Sequence, residues 1–158
     1  MSIDVAILVL AWIITIVVLL FAVPKKKIRE ALLILFFKQL ITWLLGLTVA
    51  QFKWIEYPVR SFAYATKASF DFEYFIYPAV CVVFNLHYPE GKSRFRQFTH
   101  YFITCTTVTV VEVLCEEYTN IIVYHHWTWH ITWITLFITF FMSRKFYLWF
   151  FNKRKNAA

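Results

Sequence analysis

The chain has 158 residues, of which 61% are hydrophobic and 22% are aromatic, and its formal net charge is +7. A soluble domain of this length has too little interior to bury so much apolar surface, so we exclude a soluble globular fold and expect lipid to surround most of the chain. The basic residues lie between apolar runs and near the C-terminus, which is typical of membrane topology, and we predict no nucleic-acid partner.

Five apolar runs predict an all-α fold, a polytopic transmembrane bundle of five helices that forms one domain over residues 1–158. About 20 helical residues cross the hydrocarbon of a bilayer, and the runs approach that length. The predicted spans are residues 3–23, 31–50, 70–86, 97–118 and 130–151. We therefore predict a multi-pass protein of the cell membrane, with the lipid bilayer as its first partner.

The distribution of basic residues predicts the orientation of the bundle. The sequence PKKKIR follows the first run, and no Lys or Arg precedes that run, so we expect an uncleaved anchor. With the N-terminus outside, the inner segments hold twelve Lys and Arg residues, whereas the outer segments hold three, Lys53, Arg60 and Lys67. This asymmetry predicts an external N-terminus and a cytoplasmic C-terminus.

The second span carries a stripe of Lys38, Thr42, Gly46 and Ala50 at intervals of four residues. These residues share one helix face, and small residues at this spacing let a neighbouring helix approach closely. We therefore expect Lys38 to point toward protein. We interpret residues 51–69, which follow this span, as an interfacial loop along the outer surface.

The third span contains a proline that interrupts its helical hydrogen bonding. Asp71, Tyr74, Pro78, Cys81 and Asn85 fall on one helix face. Proline has no backbone N–H, so Pro78 is expected to free the carbonyl group of Tyr74 and to bend the span.

The fourth span carries Glu112 and Glu116, which project from one helix face because they are four residues apart. A carboxylate at that depth costs a few kcal/mol unless it is paired, protonated or hydrated. Lys38, in the second span, is the only basic residue of the sequence that lies well inside an apolar run. One hypothesis is a ligand- or ion-binding pocket that opens outward, built from Lys38, Glu112 and Glu116, with Asp71 and Asn85 along the path.

The alternative to a binding pocket is a purely structural arrangement. In that case Lys38 and a glutamate form an ion pair, or a protonated glutamate bonds to the Thr-rich faces of the last two spans. The fifth span has such a face, formed by Thr128, Thr132, Thr135, Thr139 and Ser143.

A second group of residues near the outer surface contains carboxylates and imidazoles, which are ligands for zinc or non-haem iron. Its members are Glu73, Glu117, His125, His126 and His130, together with Asp71 and Glu116. The chain contains no HExxH or ExxH motif, and interfacial histidines among tryptophans explain the same pattern. We predict no cofactor other than this candidate metal ion.

The sequence HYP at residues 87–89, Glu116 in the following span, and YHHW at residues 124–127 resemble motifs of a known family. It is a family of small, roughly five-span hypothetical membrane proteins from spore-forming Gram-positive bacteria. The outer loop here lacks the glycine expected before Trp127. The resemblance implies a bacterial protein with the five-span architecture and no assigned activity.

Three functions remain as hypotheses. The first is a component for transport or for binding a small ligand. The second is a non-catalytic subunit that assembles with another membrane protein, or a homo-oligomer formed through the second span, and it predicts that the Lys38 face or the Thr stripe is uncovered in one chain. The third is a metal-dependent intramembrane enzyme, but the Ser, Cys and His residues form no recognisable triad, and we favour a non-enzyme.

Overall fold

The computed structural model describes residues 2–155, and the side chains of residues 2–151. This part of the chain forms five α-helices, which confirms the predicted all-α fold: α1 (Ile3–Ala22), α2 (Ile28–Gln51), α3 (Tyr77–Leu86), α4 (Arg94–Tyr118) and α5 (Trp129–Lys155). Helices α1, α2, α4 and α5 are long and apolar enough to cross a membrane. A 3₁₀ turn at Lys25–Lys27 leads into α2.

The third predicted span consists of two kinds of helix. A π-helical segment of 7 residues, Phe70–Ile76, runs directly into the 10 residues of α3. Pro78 lies in the first turn of α3, where a missing N–H is tolerated. The carbonyl group of Tyr74 accepts a hydrogen bond of 2.7 Å from the side-chain amide of Gln39 on α2. The neighbouring helix thus satisfies the carbonyl that proline was expected to free.

Helices α2, α3 and α5 form the centre of the bundle. Helix α2 packs along α3 and the π-helical segment, and α5 contacts α2, α3 and α4. Helix α1 lies against α3 and the π-helical segment, and Leu8 is its one buried residue among those described. Most of the surface of α1 is therefore left for lipid.

The core has two apolar clusters separated by a polar layer. The larger cluster includes Ile34, Phe84, Cys105 and Phe140, toward the end of the bundle where the turn between α3 and α4 lies. The smaller cluster, at the opposite end, consists of Val49, Ile55, Tyr57 and Ile122. Between them lies a set of buried polar side chains: Lys38, Thr42, Glu73, Glu112, Thr132 and Thr139.

The connection between α2 and the π-helical segment departs from the predicted surface loop. Its residues Ile55–Glu56 form strand β1, which pairs antiparallel with strand β2 (Val123–Tyr124) in the connection between α4 and α5. Ile55 and Tyr57 are buried rather than spread along an interface. We call these paired connections the cap, because they close this end of the bundle over the smaller apolar cluster. The interpretation as an interfacial loop is corrected for these residues.

The close approach of α2 to the π-helical segment generates a prediction at Gly46. A Cβ atom at this position would lie 2.6 Å from Cγ of Glu73, well inside van der Waals contact. We expect Gly46→Ala to lower the free energy of unfolding by about 1–3 kcal/mol, as overpacking does in other cores. Thermal unfolding of the purified protein in detergent would measure this loss.

The control for this prediction removes the opposing side chain. Glu73→Ala leaves only the Cβ atom of residue 73 near the new methyl group, at 3.3 Å. Gly46→Ala should therefore cost much less in the Glu73→Ala background than in the wild type. An equal loss in both backgrounds would show that a contact other than the one with the Glu73 side chain causes the effect.

Candidate functional site

Glu112 on α4 is buried and accepts hydrogen bonds from three hydroxyl groups. The hydroxyl of Tyr77 donates to its Oε2, and the hydroxyl of Tyr124 donates to its Oε1. Thr132 Oγ1 also donates to Oε1, at 2.8 Å. The three donors come from α3, the cap and α5. Hydrogen bonds to a charged acceptor are stronger than those between neutral groups, so this cage offsets much of the cost of burying a carboxylate.

Thr132 is held in place by the cap. The indole Nε1 of Trp127 donates to Thr132 Oγ1 at 2.7 Å. A threonine hydroxyl has one proton to donate and accepts elsewhere, so Thr132 receives the bond from Trp127 and passes its own proton toward Glu112. This short relay fixes the orientation of the hydroxyl.

Glu73, in the π-helical segment, is a second buried carboxylate. Its Oε1 accepts a hydrogen bond of 3.1 Å from the hydroxyl of Tyr57, which follows β1. Thr42 on α2 donates to the backbone carbonyl of Glu73 at 2.6 Å. The missing side chain of Gly46 leaves the space that the methylene groups of Glu73 occupy. The stripe on α2 thus positions Glu73.

The two carboxylates line one cavity of about 80 Å³. That volume holds a few water molecules. The wall includes hydroxyl groups of Tyr57, Tyr77, Thr42, Thr132, Thr135 and Thr139, and apolar groups of Leu45, Val49, Ile55, Trp127 and Leu136. The wall of the site therefore combines many oxygen ligands with apolar side chains.

Lys38 is completely buried next to this cavity. Its Nζ donates to Thr139 Oγ1 and lies 4.4 Å from the centre of the Phe140 ring. The carboxylate of Glu73 interacts electrostatically with the amino group of Lys38. Among the described side chains, the ion pairs closer than 4.0 Å are His125–Glu56 and Arg144–Glu90, so Lys38 and Glu112 do not form one.

The structure places the remaining members of the hypothetical pocket elsewhere. Asp71 accepts hydrogen bonds from Trp12 Nε1 and from the amide and hydroxyl of Ser61, and so ties α1 to the cap connection. Asn85 lies near the C-terminal end of α3, where its Nδ2 donates to Ser143 Oγ at 3.3 Å and its Oδ1 has no hydrogen-bond partner. Glu116 is half-buried and does not line the cavity.

The candidate metal ligands are spread over the cap and the adjoining helix ends. Glu73 lies in the cavity, whereas Glu117, His126 and His130 are exposed. His125 Nε2 lies 2.9 Å from the carboxylate of Glu56. Within the described residues, no three His, Cys, Asp or Glu side chains come together as a metal-binding group.

Sequence reasoning missed the aromatic donors of the site. Tyr57, Tyr77 and Tyr124 each bond to a buried carboxylate. Tyrosines near the ends of apolar runs usually lie at the membrane interface, so their positions in the sequence did not suggest a role as hydrogen-bond donors. A buried carboxylate needs hydrogen-bond donors, and that requirement could have identified these tyrosines.

The tyrosines of the cap stay protonated donors over a wide pH range. Burial, followed by the charges of Glu73 and Glu112, raises the pKa of Tyr57 well above its ordinary value. Burial and the charge of Glu112 likewise raise the pKa of Tyr124. Both hydroxyls therefore hold their protons while they bond to the carboxylates.

The fold is mainly helical, with four helices long and apolar enough to cross a membrane, and two of its buried carboxylates line one cavity. No protein-family model, curated protein or solved structure significantly matches the chain. The resemblance to small five-span bacterial membrane proteins accordingly stays a prediction.

The raised pKa of Tyr124 predicts the pH dependence of its ionisation. Because the folded pKa exceeds the unfolded value of about 10, the stabilisation from this group is complete below about pH 10 and is lost as the pH rises further. A spectrophotometric titration of the folded protein, compared with that of Tyr124→Phe, should show that the variant lacks one ionisation well above pH 10. Loss of a step at or below the ordinary value would contradict the burial of this hydroxyl.

Proposed function

We propose that the protein is a membrane transport component that binds one small monovalent cation in the cavity between Glu73 and Glu112. The cation is a proton, an alkali ion or an ammonium ion. The observation that carries this proposal is that two buried carboxylates face the same cavity, and that Lys38 lies beside it with its amino group bonded to Thr139 of the wall.

The charges of this site do not balance without a ligand. If both carboxylates were ionised beside one ammonium group, the site would carry a net charge of −1. Like charges that share a site oppose each other's ionisation, and an unbalanced buried charge is costly. A bound proton or another monovalent cation restores neutrality, so the empty site favours uptake of such a ligand.

The size and chemistry of the cavity limit what binds. A volume of about 80 Å³ accommodates an ion with a partial hydration shell, but not a sugar or nucleotide. Carboxylate and hydroxyl oxygens are hard ligands that suit protons and small hard cations. The aliphatic and indole groups in the wall exclude bulk water and strengthen the electrostatic attraction.

The orientation inferred from the basic residues supports loading from outside the cell. If the turn between α3 and α4 is cytoplasmic, then the cap lies at the outer surface. Ile55, Tyr57 and Trp127 of the cap segments line the cavity, so the cap stands between the site and the external solution.

The two other hypotheses have weaker support. An assembly subunit was expected to leave the Lys38 face or the Thr stripe uncovered, but Lys38, Thr132, Thr139 and Ser143 are all buried within one chain. An enzyme needs an accessible nucleophile or a metal. Cys81 Sγ donates to Ser143 Oγ at 3.1 Å, and both residues are buried.

Carboxylate substitutions test the cation site directly. Glu112→Gln and Glu73→Gln keep similar shapes but remove one negative charge each, and each should weaken cation binding by about tenfold or more. Glu116→Gln is the matched control, because Glu116 lies on the same helix outside the cavity. Binding would be measured by calorimetry for alkali and ammonium ions, and by proton uptake for the proton.

Flux into proteoliposomes would test the transport part of the proposal. The wild type and Glu116→Gln should carry the bound cation down its gradient, and the two cavity variants should not. Equal binding and flux in all four proteins would refute the site, provided that circular dichroism shows each variant to be folded.

Substitution of Lys38 is predicted to change the cation affinity in the opposite direction from the carboxylate substitutions. Its ammonium group repels a bound cation, so Lys38→Met should tighten cation binding, by about tenfold for one charge acting at an effective dielectric of about 20. General damage to the bundle would weaken binding instead. The same calorimetric titration, run beside Glu112→Gln, therefore separates an electrostatic site from a structural one.

A further inference from the structure

We propose that a groove between α3 and α4 binds a hydroxyl-bearing neutral lipid of the acylglycerol class, with the lipid hydroxyl bonded to Glu112. This second ligand goes beyond the cation of the proposed function, although both use the same carboxylate. We call this surface the lateral groove. Its lining residues are Phe72, Ile76, Tyr77, Val80, Ile103, Thr104, Thr107, Val108, Val111, Glu112, Cys115 and Ile122.

The lateral groove forms because α4 packs against α5 rather than against α3. Helix α4 packs mainly along α5, and α3 packs mainly along α2. The space left between α3 and α4 is about 360 Å³. Ile103 and Val111, which line it, are 58% and 52% exposed, so the groove opens toward the surface that lipid covers.

The length and polarity of the groove match one lipid in one leaflet. From Ile103 to Cys115 the helix rises by about 18 Å, and one leaflet of hydrocarbon is about 15 Å deep. Glu112 lies near the Cys115 end, about 9 Å by helical rise from the end of α4 at Tyr118. The remainder of the groove toward Ile103 is mostly apolar, with Thr104 and Thr107 as its polar side chains. A lipid there has its polar group at Glu112 and its chain toward the bilayer centre.

Glu112 has room for one more donor. A carboxylate offers about four acceptor positions. Tyr124 and Thr132 occupy two on Oε1, and Tyr77 occupies one on Oε2. Tyr77 also lines the lateral groove, so the oxygen with a free position is the one bonded to a groove residue. The groove therefore ends at a carboxylate whose Oε2 accepts one bond, from Tyr77, and has the capacity to accept another.

The charges around the groove select the class of lipid. No Lys or Arg is among its described lining residues, and Glu112 repels anions, so a phosphate group is disfavoured. At this depth an uncharged hydroxyl costs less to desolvate than an ammonium group. A free hydroxyl on a glycerol carbon one or two carbons away from the carbon that carries the ester-linked chain, as in a monoacylglycerol or diacylglycerol, meets both conditions.

Binding of defined lipids to the wild-type protein tests this inference. Native mass spectrometry in detergent would compare 1-monooleoylglycerol, methyl oleate, which lacks the hydroxyl, and oleoyl phosphatidic acid. We expect monooleoylglycerol to bind at least about tenfold more tightly than either other lipid, as a hydrogen bond to a charged acceptor requires. Equal binding of methyl oleate would overturn the role of Glu112, and tighter binding of the phosphatidic acid would overturn the lipid class.

Two neighbouring valines on α4 give a matched pair of variants. Val111 lines the lateral groove and is 52% exposed, whereas Val110 does not line it and is 50% exposed. Val111→Trp should fill the groove and reduce monooleoylglycerol binding by at least about tenfold, and Val110→Trp should leave it unchanged. Equal binding to both variants would place the lipid elsewhere.

The same variants separate this inference from the proposed function. Val111→Trp changes the lateral groove and leaves the cavity between Glu73 and Glu112 intact, so it should bind cations as the wild type does. Loss of lipid binding with cation binding retained supports a distinct lipid site. Cation binding that fails in the wild type, together with selective monooleoylglycerol binding, would refute the cation proposal and leave the lipid site standing.

Discussion

The desolvation of Glu112 is the constraint on which the arrangement of this bundle depends. A carboxylate within a membrane helix costs a few kcal/mol unless the protein supplies donors. Here the donors come from three separate elements, through Tyr77, Tyr124 and Thr132. One side chain on α4 therefore fixes the positions of α3, α5 and the cap. The bond to Tyr77 also links α4 to α3, two helices that otherwise leave a groove between them.

The polar layer contributes to holding the helices together, which in soluble cores is mainly the result of the hydrophobic effect. Lipid tails are as apolar as leucine, so helices in a bilayer gain little by burying apolar surface against each other. Close packing and hydrogen bonds between helices have to supply the specificity. Thr42 bonds to the Glu73 carbonyl, and Gly46 admits the Glu73 side chain, so α2 and the π-helical segment fit together in one register.

Helical periodicity made the bundle predictable from sequence, and it also identified part of the site. The apolar runs located the helices, the stripe from Lys38 to Ala50 became a buried face, and Pro78 marked the freed carbonyl of Tyr74. Periodicity along one helix does not show how far each residue lies from its neighbours on other helices. Glu116 shares a face with Glu112, yet it lies one turn beyond the cavity. The cap was missed because two-residue strands owe their existence to long-range pairing, not to local sequence.

The cap and the cavity are mechanically connected through the two tyrosines. Tyr57 directly follows β1 and donates to Glu73, and Tyr124 lies in β2 and donates to Glu112. The paired strands thus hold one donor for each carboxylate. A carboxylate that gains a proton or a bound cation becomes a weaker acceptor, so its bond to the tyrosine weakens. The charge state of the cavity therefore acts on the segments that cover it, and under the proposed function the stability of the cap is expected to depend on whether a cation is bound.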